Sequence, residues 1–86
     1  VMNIILERIR QAILKPMQDM NISVESVTYE EEGNYNFLRI ELDNANGLDL
    51  DTIVEATNII NPIIDELNLI DDSYILDITS KEKGDM

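Results

Sequence analysis

The sequence predicts an α+β domain, a two-layer sandwich in which two helices pack on one face of a three-stranded sheet. Two segments repeat apolar residues with helical spacing. Three other segments carry the alternation or the β-branched residues typical of strands. The order along the chain is α-β-β-α-β, and 86 residues form one such domain but are too few for two.

The first predicted helix covers residues 3–19. Its apolar face consists of Ile4, Ile5, Ile9, Ala12, Ile13, Met17 and Met20. Pro16 lies inside this segment, and because proline lacks an N–H donor, we expect it to bend or end the last turn.

Two strands joined by a tight turn should follow as an antiparallel hairpin. Residues 22–30 form the first strand, in which Val24 lies in one phase and Val27 in the other. A bulge near residues 25–26 would reconcile the two phases. Residues 31–34 form the predicted turn. Residues 36–43 form the second strand, whose core-facing side chains are Leu38, Ile40 and Leu42.

The second helix should begin after Asp49, which is placed to cap it, with Asp51 favourable in its first turn. Its predicted inner face consists of Ile53, Ala56, Ile60, Ile63, Ile64 and Leu67. Pro62 should kink this helix.

Residues 73–79 form the third strand, with Tyr74, Leu76 and Ile78 in one phase, and its neighbour in the sheet is either the first or the second strand. The domain therefore covers residues 1–80, and residues 81–86 form a charged tail or the start of a linker.

The composition excludes several kinds of chemistry. The chain has no cysteine and no histidine, so thiolate metal sites, cysteine nucleophiles and imidazole bases are absent. No apolar run approaches the roughly 20 residues of a membrane span. No secretory signal is visible, and the lack of cysteine fits a cytoplasmic location. The sequence therefore predicts no catalytic residues, no cofactor and no metal site.

The sequence fits none of three recognisable site patterns. The acidic stretch at residues 43–49 fails as a calcium loop, because aligning Gly47 with the loop glycine places Leu42 and Ile53 at ligand positions. The three isolated glycines form no phosphate loop. The element order is that of bacterial-type KH domains, but the GxxG loop with which those domains clamp RNA is missing.

The net charge of −12, from 18 acidic and 6 basic residues, indicates the kind of partner. Such a field repels phosphate backbones and attracts basic proteins, although acidity that only keeps the domain soluble is an equal alternative. The candidate partner-binding residues are Glu30, Glu31 and Glu32 in the predicted hairpin turn, and Asp43, Asp49 and Asp51 around the second loop.

Five segments, in order, resemble the N-terminal domain of the ribosome maturation factor RimP family. They are residues 21–29 (NISVESVTY), 38–43 (LRIELD), 47–52 (GLDLDT), 60–65 (INPIID) and 74–80 (YILDITS). No single segment is specific, but the ordered series is. Two departures stand out: Thr57-Asn58 replaces the family's Ser-Arg, and residues 81–84 (KEKG) replace the Pro-Gly segment that leads to a second, β-barrel domain.

The resemblance implies a non-enzymatic, cytoplasmic assembly factor for maturation of the small (30S) ribosomal subunit. It implies contact with the subunit and with a basic ribosomal protein, and an N-terminal domain without the β-barrel domain. A KH-like RNA-binding domain is the alternative, and an unrecognised carboxylate enzyme is the third hypothesis.

Overall fold

A computed structural model describes residues 1–81 and shows the predicted order of helices and strands. The elements are α1 (Met2–Asp19), β1 (Ser23–Glu32), β2 (Tyr35–Asp43), α2 (Leu50–Leu67) and β3 (Ile75–Ser80). Apolar side chains of both helices and all three strands form one core. The predicted α+β sandwich is therefore confirmed.

The sheet has the order β1-β2-β3, so β2 is the central strand. β1 pairs with β2 antiparallel, and β3 pairs with β2 parallel. A parallel neighbour needs a crossover connection, and α2 provides it by returning the chain to the end of the sheet where β2 begins. The partner of β3, which the sequence left open, is β2.

The bulge predicted in β1 is present. Val24 lies opposite Leu42 and Val27 lies opposite Ile40, and the register shifts between Val24 and Ser26. The additional residue in β1 restores the alternation, so both valines face the core side of the sheet.

The hairpin turn is shorter than predicted. Glu31 pairs with Asn36 and Glu32 pairs with Tyr35, so both glutamates belong to β1 and only residues 33–34 form the turn. Gly33 has a φ of 63°, a left-handed conformation that glycine adopts without strain. Because this tight turn needs only two residues, the ladder continues past the predicted end of the strand. The prediction that Glu30, Glu31 and Glu32 lie in the turn is wrong, since Glu30 also lies in β1, opposite Phe37.

The core consists mainly of isoleucine and leucine side chains. Its buried members are Ile9, Ile13, Met17, Ile22, Val24, Leu38, Ile40, Leu42, Ala56, Ile60 and Ile64. One member of the predicted helical face is misplaced: Ile4 is 66% exposed. Ile53 is half-buried and is not part of this cluster.

Both prolines lie within continuous helices. α1 runs past Pro16 to Asp19, and α2 runs past Pro62 to Leu67. The helix therefore does not end at Pro16. Beyond β3, the Lys81 N–H donates to the Leu42 carbonyl at 2.7 Å, which adds one more bond to the sheet. The rest of the predicted tail, residues 82–86, lies outside the described residues.

Two alanine substitutions on α1 test the assignment of its buried face. Ile13 is fully buried, so Ile13→Ala should lower the free energy of unfolding by about 2–5 kcal/mol through lost burial and a residual cavity. Ile4→Ala is the matched control in the same helix and should change it by less than about 0.5 kcal/mol. Urea denaturation of both variants measures the difference. Equal losses would contradict the packing of α1.

Candidate functional site

The sheet has one face that the helices do not cover. Side chains of β2 alternate, so those between the core residues point away from α1 and α2. We call this surface the open face. Its side chains are Ser23, Ser26, Thr28, Glu30 and Glu32 on β1, Tyr35, Phe37, Arg39, Glu41 and Asp43 on β2, and Ile75, Asp77 and Thr79 on β3.

Arg39 is at the centre of the open face and contacts acids from both edge strands. Its Nη1 donates to the carboxylate of Glu30 and, at 2.9 Å, to Glu32. Its Nε donates to Asp77 at 3.0 Å. The guanidinium carbon lies 5.0 Å from the centroid of the Phe37 ring, within cation–π range. We call these five residues the Arg39 cluster.

The electrostatics of the cluster keep the guanidinium charged. Hydrogen bonds to Glu32 and Asp77 raise the pKa of Arg39 above its ordinary value, and the bond to Glu30 acts in the same direction. One cation thus faces three carboxylates, and the cluster carries an excess of negative charge.

Strand pairing explains how residues so far apart in sequence meet. Glu30 lies opposite Phe37, and Asp77 lies opposite Arg39 in the parallel pair. Glu32 is two residues from Glu30, so both glutamates project from the same side of β1. The cluster therefore follows directly from the register of the three strands.

The three predicted hairpin acids are divided between the two faces of the sheet. Glu30 and Glu32 lie on the open face and contact Arg39. Glu31 has the opposite phase, and its charge contributes to raising the pKa of Tyr29, which packs against the core. Asp43 lies at the other end of β2, opposite Ser23. The predicted site residues therefore do not form one patch.

The two remaining candidate acids lie at the start of α2. Asp49 is the N-cap, as predicted: its Oδ1 accepts a hydrogen bond from the Thr52 N–H at 2.8 Å. Hydrogen bonding to Thr52 lowers the pKa of the Asp49 carboxyl below its ordinary value. Asp51 lies in the first turn, where its charge complements the helix dipole. A structural role thus accounts for both residues.

Sequence reasoning missed Arg39 and Asp77 as members of a cluster. Arg39 is the only basic residue between positions 16 and 80, which is a visible signal. Its outward phase in β2 was also recognisable. The contact with Asp77 was not, because it depends on β3 lying beside β2.

Tyr29 brings a polar atom into the core side of the sheet. Its hydroxyl is buried and has no hydrogen-bond partner among the described residues. Burial, together with the charges of Asp72 and Glu31, raises its pKa above the ordinary value. Burial and the charge of Asp65 likewise raise the pKa of Tyr74.

The arrangement provides little for catalysis or metal binding. A surface cleft between α2 and the start of β3 contains Asp65, Asp72 and Tyr74. Both aspartates are exposed, whereas acid–base catalysis relies on carboxyl groups in contrasting, partly desolvated environments.

Within residues 1–81, no three acidic side chains lie in an arrangement that could hold a metal ion. In the same part of the chain, neither helix is long and apolar enough to cross a membrane.

The structure is a small α+β domain with an open sheet face on which three acids surround one arginine. The model of a known family, described as the RimP N-terminal domain, matches residues 12–81. That range contains the C-terminal part of α1 and every other element. The chain belongs to the RimP N-terminal domain family, a family of non-enzymatic ribosome maturation factors.

Removal of the helix cap tests the role of Asp49. Asp49→Ala should lower the denaturation midpoint because the Thr52 N–H loses its acceptor. Asp51→Ala is the control, since it removes the same charge from the same turn without breaking a cap. The pKa of Asp49 is lowered on folding, so its contribution is complete above the ordinary pKa and is lost as the pH falls through the folded value. Midpoints measured from neutral to acid pH should converge for wild type and Asp49→Ala. A constant difference would contradict this.

Replacement of Tyr29 by phenylalanine tests the unpaired hydroxyl. Tyr29→Phe should leave stability unchanged or raise it at neutral pH, since a buried polar group without a partner is removed. The raised pKa of Tyr29 means that the folded state is favoured below the ordinary pKa and loses stability as the pH rises through the folded value. The variant should therefore resist alkaline unfolding better than wild type. Tyr35→Phe, at an exposed position, should behave like wild type.

Proposed function

We propose that this domain acts, without catalysis, in the cytoplasmic assembly of the small (30S) ribosomal subunit, and that it binds the subunit through a basic ribosomal protein. Family membership is the observation that carries the proposal, because RimP proteins are ribosome maturation factors. The small subunit, the basic protein partner and the cytoplasmic location are proposed in addition to that general role.

The charge of the chain supports a basic protein partner. A net charge of −12 on 86 residues produces a field that favours approach of cations and opposes approach of phosphate. Glu30, Glu31, Glu32, Asp43, Asp49 and Asp51 are the acids proposed to contribute to this attraction. Asp49 and Asp51 also stabilise the start of α2, so the glutamates of β1 are the better probes.

The distribution of cations argues against RNA as the direct partner. Arg8, Arg10 and Lys15 lie on α1, and Arg39 is held by acids. Lys81 is paired with Glu25 at 3.4 Å. The chain contains no GxxG loop. A protein partner therefore fits the acidic surface of this domain better than a phosphate backbone does.

Two binding assays distinguish a protein partner from RNA. The immobilised domain should retain basic proteins from dissociated small subunits, and small-subunit RNA stripped of protein should not shift in a gel with the domain. The retained protein should dissociate as salt rises, because screening weakens an electrostatic complex. A gel shift without retention of protein would favour the KH-like alternative.

A triple substitution tests whether the acids of β1 take part. Replacing Glu30, Glu31 and Glu32 by Gln should slow association with the retained protein and reduce its salt dependence. The control replaces Glu7, Glu55 and Glu66, three exposed glutamates of the helices, by Gln. Surface plasmon resonance across a salt series measures both sets. Equal effects would show that only total charge matters, and no effect from the β1 set would remove these acids from the interface.

A further inference from the structure

The end of the open face nearest the hairpin has an apolar strip. Phe37 and Ile75 lie opposite each other in neighbouring strands, and Tyr35 precedes Phe37 by two residues on the same side. Tyr35 is 63% exposed and Ile75 is 44% exposed. The polar residues Ser26, Glu41 and Thr79 occupy the other end of this face. Large apolar side chains grouped on an open surface mark an interaction site more often than scattered ones do.

A cleft lies beside this apolar strip. Residues 34–36 and 73–75 line the cleft, and Tyr35, Tyr74 and Ile75 provide most of its apolar wall. The Asn36 Nδ2 donates to the Ser73 carbonyl at 3.2 Å and joins the two segments. An aromatic or long aliphatic side chain of a partner has room to insert here, as anchor residues do at protein interfaces.

Acids surround the strip and indicate the charge of what covers it. Glu32 lies opposite Tyr35, Glu30 lies opposite Phe37, and Asp77 is two residues beyond Ile75. A second copy of the chain would bring a net charge of −12 against the same acids, and a nucleic acid would bring phosphates. Charge complementarity therefore selects a polypeptide with basic residues next to an apolar anchor.

Arg39 already occupies the place that a partner's cation would take. It contacts all three acids and covers the ring of Phe37, but its side chain remains 33% exposed. Ion pairs accessible to water exchange partners at little cost. An arginine or lysine from outside can thus compete with Arg39 for Glu30 and Glu32.

We propose that the open face is the docking surface for a basic polypeptide segment with an apolar or aromatic anchor, and that Arg39 is its internal competitor. The anchor inserts beside Tyr35 and Ile75, and the segment's cations replace the guanidinium of Arg39 at Glu30 and Glu32. The partner class rests on the proposed function, but the surface and the competition rest on the geometry of the sheet.

Removal of Arg39 should strengthen peptide binding, whereas removal of a side chain from a binding surface usually weakens it. Arg39→Gln should tighten binding of a short synthetic peptide rich in arginine and tyrosine by about fivefold, the factor expected for one unit charge at contact distance in water. Lys15→Gln removes the same charge from α1, where Lys15 pairs with Asp19, and should change the affinity much less. Fluorescence anisotropy measures both. A weaker complex, an unchanged one, or an equal gain from Lys15→Gln would overturn the proposal.

A second pair of variants keeps the test decisive if Arg39→Gln unfolds. Tyr35→Ser should weaken peptide binding several-fold by removing the anchor contact, and circular dichroism should show an intact fold because Tyr35 is exposed. Leu50→Ser is the control: Leu50 is 76% exposed and lies at the start of α2, away from the open face. Equal effects of the two substitutions would overturn the surface assignment.

An NMR titration of the wild-type domain with the peptide tests the proposed docking surface separately from the proposed function. Amide resonances of Tyr35, Phe37 and Ile75 should shift on peptide titration, and those of α1 should not. Peptide binding here with no retention of any small-subunit protein would refute the proposed function and leave the surface standing. If such a protein is retained and Tyr35→Ser does not affect its retention, the surface assignment is refuted and the proposed function stands. Self-association or RNA binding through the open face would overturn the proposed occupant.

Discussion

The alternation of side chains along β2 is the constraint on which the rest of the structure depends. β2 is the central strand, and its core-facing residues Leu38, Ile40 and Leu42 are fully buried. Because the period of a strand is two, a slip of one residue would bring Arg39 into the core and expose Ile40 to water. Burial of a charge without partners is far too costly to allow this. The core therefore fixes the open face, and the contact between Arg39 and Asp77 follows from it.

Features determined by near neighbours in sequence could be predicted. Val24 and Val27 are both apolar but lie in opposite phases, so only an inserted residue places both against the core, and the bulge is present. The cap at Asp49 depends only on the Thr52 N–H, three residues away. In both cases, a few adjacent residues contain the whole physical cause.

Features that depend on distant elements could not be predicted. Arg39 and Asp77 are 38 residues apart, and they meet only because β3 lies beside β2. Ile4 follows the helical period, but periodicity defines a side of the helix and not whether another element covers it. Glu31 and Glu32 are polar residues next to glycine, a pattern typical of turns, yet the two-residue turn leaves them in the ladder. The candidate acids were therefore identified by composition, while their division between two faces required the strand register.

The net charge alone does not describe the surface of the protein, because several of its acids already have partners. Asp49 caps a helix, Asp19 pairs with Lys15 at 3.2 Å, and Glu30 and Glu32 share Arg39. Exposed ion pairs contribute little to stability, so stability is a weak explanation for three acids converging on one arginine. Their convergence does hold the carboxylates in a fixed arrangement beside exposed apolar side chains, and preorganised groups lose less entropy on binding. A buried pair would be too costly to separate, whereas a pair in contact with water can exchange its cation. Partial exposure is thus the property that makes the Arg39 cluster suited to exchange its cation with a partner.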